Sequence, residues 1–188
     1  MSNTTKLALE ASLKKLLLHK PIDKITINDL TSDCGISRMS FYYHFKDIYD
    51  LVEWACVEDG KCALQDKKTY DTWQEGLQQI FDAVLENKPF ILNVYNSVSR
   101  KKIENYLNRL TYSLIEAVVE EKCTGIDIAE EDKVFIAEFY KYSFVGIMLD
   151  WIDRGMKDDY KGIVEKMSIT LHGTVTNSIH NFAQEKKH

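Results

Sequence analysis

Only two prolines, Pro21 and Pro89, interrupt a chain of 188 residues. Proline removes a main-chain donor and breaks helix interiors, so long stretches without it leave helices open to form. Those stretches carry apolar residues at the three- and four-residue spacing of helices with one buried stripe. Leu9, Leu13, Leu16 and Leu17 outline a first helix over residues 5–19. Further helices are expected over about residues 26–34, 37–46, 47–65, 72–86, 89–96, 100–122, 129–154 and 158–181. The pattern predicts an all-α fold of about nine helices, with loops at Gln65–Asp71 and Ser97–Ser99 and a frayed tail over residues 184–188.

The most informative stretch is residues 26–47. Thr26 is placed to cap a short helix, with Asp29 as the acid of a capping box. That helix ends near Cys34 at Gly35, a residue that readily takes the left-handed conformation of a sharp stop. Ser37 then caps another short helix. Two short helices joined by a Gly-containing turn describe a helix-turn-helix, whose second helix enters the DNA major groove. Phe41 and Phe45 share one face of that second helix and plug it into a core. The opposite face carries Arg38, Ser40, Tyr42, Tyr43 and His44, with Lys46 beyond, a set that core packing does not explain.

The chemistry of that face suits DNA. Arg38 can pair with guanine, Ser40 can reach bases or phosphates, and Met39 can touch a thymine methyl. Tyr hydroxyls, His44 and Lys46 suit phosphate oxygens, which fix register. The expected DNA-binding set is Thr26, Ser37, Arg38, Met39, Ser40, Tyr42, Tyr43, His44 and Lys46. Lys46 and the first amides of a helix capped by Asp47 are also expected to hold a phosphate, as helix N-termini attract anions.

At these residues the chain resembles the TetR family of bacterial transcriptional regulators. The resemblance runs through Ile25-Thr-Ile-Asn-Asp-Leu30, Cys34-Gly-Ile-Ser-Arg38, Phe41-Tyr-Tyr-His-Phe-Lys-Asp47 and Leu51. It implies three helices for DNA and six for regulation, a homodimer on a palindromic operator, and most often repression. It further implies that the last two long helices pair with those of a second copy. Trp151, Met167, Leu171, Val175 and Ile179 are the expected dimer contacts. The expected division is a DNA-binding domain over 1–47 and an effector-binding and dimerisation domain over 48–188.

Asp50-Leu-Val-Glu-Trp54, Trp73 and Gly146–Met156 look like a DhaS-like branch of that family. The resemblance implies an alternative, an activator controlled by a protein coactivator rather than by a small molecule. A helical protein-interaction module without DNA binding is a further alternative, and the intact Arg38–Lys46 surface argues against it. For a small-molecule effector the aromatic candidates are Trp54, Trp73, Phe81, Phe90, Tyr95, Tyr106, Tyr112, Phe139 and Tyr142. Each can equally be plain core. No convergent set of charges identifies a ligand class.

The net charge of −5 divides unevenly: residues 1–50 hold seven Lys/Arg against six Asp/Glu, and the remainder holds seventeen against twenty-three. The basic signal is local and modest, so the chain needs a specific DNA site rather than coating the duplex. Cys34, Cys56, Cys62 and Cys123 have no C-x-x-C spacing and no neighbouring His in ligand register, so no metal or other cofactor is expected. No nucleophile elbow, phosphate loop or metal pair supports an enzyme. Phe144–Leu149, among the longest apolar runs, falls far short of a membrane span. The N-terminal segment, with Lys14 and Lys15 inside its apolar pattern, does not read as a signal peptide. Free thiols and the DNA partner point to the bacterial cytoplasm, at the nucleoid when DNA is bound.

Overall fold

A computed structural model describes residues 3–63, 69, 71–97 and 100–185, with only the main chain described at 60–63. The described residues form helices α1 (Asn3–Leu17), α2 (Ile27–Cys34), α3 (Arg38–His44), α4 (Ile48–Ala63), α5 (Trp73–Glu86), α6 (Lys88–Tyr95), α7 (Arg100–Cys123), α8 (Glu130–Asp153), α9 (Tyr160–Leu171) and α10 (Thr174–Glu185). A 3-10 turn, Ile22–Lys24, links α1 to α2. The fold is all-α, and no strand occurs among the described residues. The loop expected at 65–71, the break at 97–99 and the tail at 184–188 lie largely outside the described residues.

The chain divides into two compact units, Met1–Asp59 with Glu86–Tyr106 and Gly60–Leu85 with Leu107–His188. In the first, Leu9, Leu13, Leu30, Phe41, Leu51 and Val52 are fully buried. Each such side chain removed from water stabilises the fold by about 1.5–3 kcal/mol. α6 belongs to this unit through Asn93, whose Oδ1 accepts from the Ile22 amide at 2.9 Å while its Nδ2 donates to the Leu17 carbonyl at 3.2 Å. Lys14 of α1 pairs with Glu10 at 2.7 Å and with Asp59 of α4 at 2.9 Å. Pro89 sits in the first turn of α6, as its missing amide permits.

The second unit is cored by Phe81 of α5, which packs edge-on to Trp151 of α8 at 5.0 Å and stacks on Tyr160 of α9 at 5.5 Å. α8 closes with a Schellman turn: the Gly155 amide donates to Ile152 and the Met156 amide to Trp151, at 2.8 and 2.9 Å. Gly155 and Met156 both lie at positive φ, 77° and 55°. The single helix expected over 158–181 is two, because Gly173, at φ 74°, separates α9 from α10. The apolar stripe of Val164, Met167, Leu171, Val175 and Ile179 suggests continuity, whereas the left-handed glycine interrupts it.

Candidate DNA-binding surface and effector cavity

The helix-turn-helix is built from local signals. Thr26 Oγ1 accepts from the Asp29 amide at 3.2 Å, and Asp29 Oδ2 accepts from the Thr26 amide at 2.7 Å, completing the capping box. Lys20 also pairs with Asp29 at 2.8 Å. The hydrogen bond from Lys20, with those from Thr26, holds the Asp29 carboxyl down at about 2. Gly35 takes φ 68° and ψ 27°, and its amide returns to the Thr31 carbonyl, ending α2. Ser37 Oγ accepts from the Ser40 amide at 3.1 Å and starts α3.

α3 is two-faced. Phe41 is fully buried and Phe45, just past its end, is 3 % exposed, with their rings 5.9 Å apart. Trp54 of α4 meets Phe45 at 5.8 Å, and the Lys6 ammonium lies 5.4 Å from the Phe45 ring and 5.5 Å from the Trp54 ring. Met39 and Tyr43 are 83 % and 82 % exposed, and Tyr42 51 %. Arg38, Lys46, Thr26 and Ser37 are exposed, and Ser40 and His44 are half-exposed. The Arg38 guanidinium reaches the Tyr42 hydroxyl at 3.5 Å and rests 6.0 Å from its ring. None of the nine side chains is buried, although the Thr26 hydroxyl is already engaged in its cap.

The N-terminus of α4, where an anion site is expected, carries two carboxylates, Asp47 and Asp50. Two amides at this corner are held by side chains: Asp50 accepts from the Lys46 amide at 2.9 Å, and Asp47 from the Asp50 amide at 2.8 Å.

In the second unit a cavity of about 250 Å³ opens beside Trp73, Phe144, Ile115 and Tyr140, with Asp71 and His172 among its polar lining. Of the nine aromatic candidates, Trp73 alone lines it. Phe81 is core, while Phe90, Tyr95 and Tyr106, each 3 % exposed, are packed inside the first unit. Trp54 packs on Phe45, and Tyr112 is half-buried near Lys141. Phe139 and Tyr142 face solvent at 59 % and 61 % exposure. Periodicity assigns aromatics to inward stripes but does not say which stripes meet. Phe144, Tyr140, Ser168 and His172, which do line the cavity, carried no local signal.

The expected dimer contacts also separate. Trp151 and Ile179 are fully buried and Met167 is 5 % exposed within the subunit, so these side chains are spent internally. Leu171 and Val175 line the cavity. The outward apolar residues of α8 are instead Val134, Phe135, Phe139, Tyr142 and Ile147. Phe182 of α10 abuts Phe135 at 6.1 Å. Among the described residues, no helix is long and apolar enough to cross a membrane.

Residues 9–55 match the family described as bacterial regulatory proteins, tetR family. Residues 71–173 match a TetR-type family described as a transcriptional regulator C-terminal region. The HTH-type dhaKLM operon transcriptional activator DhaS of Lactococcus lactis subsp. lactis (strain IL1403) is 23% identical over 153 residues, 80% of this chain and 81% of that protein. Among solved structures, a dihydroxyacetone kinase operon activator DhaS aligns with a TM-score of 0.68 at 21% identity, covering 95% of this chain and 97% of its own. NalD, the secondary repressor of the MexAB-OprM multidrug efflux pump in Pseudomonas aeruginosa, aligns at 0.51 with 14% identity, covering 90% and 94%. At these identities the two structures share the fold.

Proposed function

The chain belongs to the TetR family of bacterial transcriptional regulators, and from that premise we propose that it reads a palindromic operator as a homodimer, under the control of an effector bound by the C-terminal unit. The observation that carries the reading is the two-faced α3: Phe41 and Phe45 anchor it while Arg38, Met39, Tyr42, Tyr43, His44 and Lys46 stay accessible. Arg38 and Met39 lie in the first turn, where a recognition helix meets base edges. Tyr42, Tyr43, His44 and Lys46 supply phosphate contacts, which fix the register of the duplex.

Pairing uses the outward stripe of α8. Phe135, Phe139, Tyr142 and Gly146 recur at helical spacing, and the exposed Gly146 has open space where a Cβ would stand. An exposed apolar stripe of this kind is a candidate interaction surface. Two copies joined there present two α3 helices, and binding demands that their separation match half-sites about one helical turn of DNA apart, or a multiple of it. An effector that binds one separation better than the other shifts the population, and α4, which carries residues of both units, is the element proposed to move. The cytoplasm is the compartment in which such a regulator meets its operator.

The family precedent favours repression. The similarity to DhaS, an operon activator, supports activation as the second reading. Deleting the gene and measuring transcription of its neighbours separates the two: repression is lost as a rise in transcript, activation as a fall. A footprint on the promoter DNA upstream of the gene tests the shared part. Protection of a symmetric site by the wild-type chain supports it, and absence of any sequence-specific protection overturns it.

A further inference from the structure

The cavity of the second unit has a composition that selects a charge. Its floor is apolar and buried: Ile115, Val118 and Phe144 are each at most 3 % exposed. Trp73 and Phe144 stand 5.7 Å apart with their planes tilted at 36°, so the rings open as a wedge rather than a closed stack. Aromatic faces carry negative quadrupole density and attract cations. At the rim Asp71 is exposed, and its carboxylate makes no side-chain hydrogen bond or ion pair with another described residue. No Lys or Arg is among the described lining residues.

We propose that this cavity takes a small organic cation, an amine or quaternary ammonium with a compact apolar group. Its charge would lie against Trp73 and Asp71 and its apolar part on the Phe144 floor. An anion would meet a carboxylate and two ring faces, and among the described lining residues only the exposed His172 could answer its charge. A neutral ligand of the same shape would gain the floor but neither the cation–π attraction nor the Asp71 interaction. The cavity adjoins the α9–α10 interruption, because Leu171 and His172 before Gly173 and Val175 after it all line it. An occupant therefore touches a helix junction rather than a rigid rod. This assignment deepens the effector role proposed above and rests on it.

The test uses three molecules of nearly one shape: choline, neutral 3,3-dimethylbutanol and anionic 3,3-dimethylbutanoate. Each is titrated by calorimetry into the full chain without DNA, with benzyltrimethylammonium as a larger cation. The expected order is cation, then alcohol about tenfold weaker, then anion with no detectable binding. Asp71→Asn should weaken the cations about threefold, a modest factor because the carboxylate is exposed, and leave the alcohol unchanged. Trp73→Leu should weaken the cations more than the alcohol. Equal binding of choline and the alcohol, no response to Asp71→Asn, or no binding of either cation would overturn the assignment. The titration contains no DNA, so its failure leaves the operator reading standing, and a failed footprint leaves the titration interpretable.

Discussion

Asn93 of α6 donates to the carbonyl of Leu17, the last residue of α1, at 3.2 Å, while its own carbonyl oxygen accepts from Ile22 at 2.9 Å. One amide thereby satisfies an acceptor and a donor on the connection that leads into the helix-turn-helix. A second donor contact, to the Lys20 carbonyl at 3.5 Å, is longer. A carboxylate of the same size can accept but not donate, and an aliphatic side chain can do neither.

Asn93→Ala should consequently lower stability by about 1–3 kcal/mol, because it leaves partly buried main-chain groups unpaired. Asn93→Asp should do no better, since it sets a negative charge beside two carbonyl oxygens. Urea unfolding followed by circular dichroism checks this. Unchanged midpoints in both variants would show that water replaces the amide without loss.

Gly35 holds φ 68°, and beyond its own and its chain neighbours' atoms nothing lies within 4 Å of the position a Cβ would occupy. The constraint is thus conformational rather than steric. Gly35→Ala should cost about 1–2 kcal/mol. Gly35→Asn, which tolerates the left-handed region better, should cost less. If both unfold at the wild-type midpoint, the turn does not depend on its glycine.

Asp29 is held at about 2, below its ordinary 3.8, by Lys20 and by the main-chain and side-chain hydrogen bonds of Thr26. A depressed carboxyl stabilises the fold above its unfolded value, and that contribution is lost as pH falls through the folded value. The loss should fall between pH 3.8 and about 2. Asp29→Asn should flatten that part of the acid-unfolding profile. A carboxyl titration of Asp29 by nuclear magnetic resonance near its ordinary value would contradict it.

Phe139 is 59 % exposed on the outward stripe of α8. Phe139→Glu should turn the proposed dimer into a monomer in sedimentation equilibrium while leaving the helical content unchanged. A wild-type chain that sediments as a monomer at micromolar concentration would remove this surface from consideration. Trp151→Glu should instead unfold the second unit, because that ring is fully buried in it.

The parts of the molecule legible in the sequence are those whose cause lies within a few residues. Thr26 and Asp29, Gly35, and Ser37 with Ser40 are local pairs or single backbone states. Phe41 and Phe45 are separated from Tyr42 and Tyr43 by helical periodicity alone. What escaped depends on contacts between distant segments. Asn93 reaches across 76 residues to Leu17, and nothing near it in the chain marks it as a tie. Trp151 and Phe139 both read as apolar helix positions, yet one is enclosed and the other faces solvent. Gly173 interrupts a stripe whose spacing continues on either side, so periodicity conceals the break.

For the DNA surface, single substitutions should divide by role. Arg38→Ala should relax base preference and cost about 1–3 kcal/mol at the cognate site. Lys46→Ala should weaken binding to all sequences alike and reduce the salt slope by about one. Tyr42→Ala and His44→Ala should weaken all sites without relaxing preference. Equal loss on cognate and random DNA for Arg38→Ala would move that residue to the phosphate set.

The most direct measurement is a hydroxyl-radical footprint of the upstream promoter with the wild-type chain and with Arg38→Ala/Tyr43→Ala. An outward, paired α3 requires two protected half-sites related by a dyad, with centres about one turn of B-DNA apart or a multiple of it. Both should vanish together in the double variant while the fold is retained. An unprotected promoter, or a symmetric footprint that survives the double variant, would contradict the assignment of α3 as the DNA-reading helix.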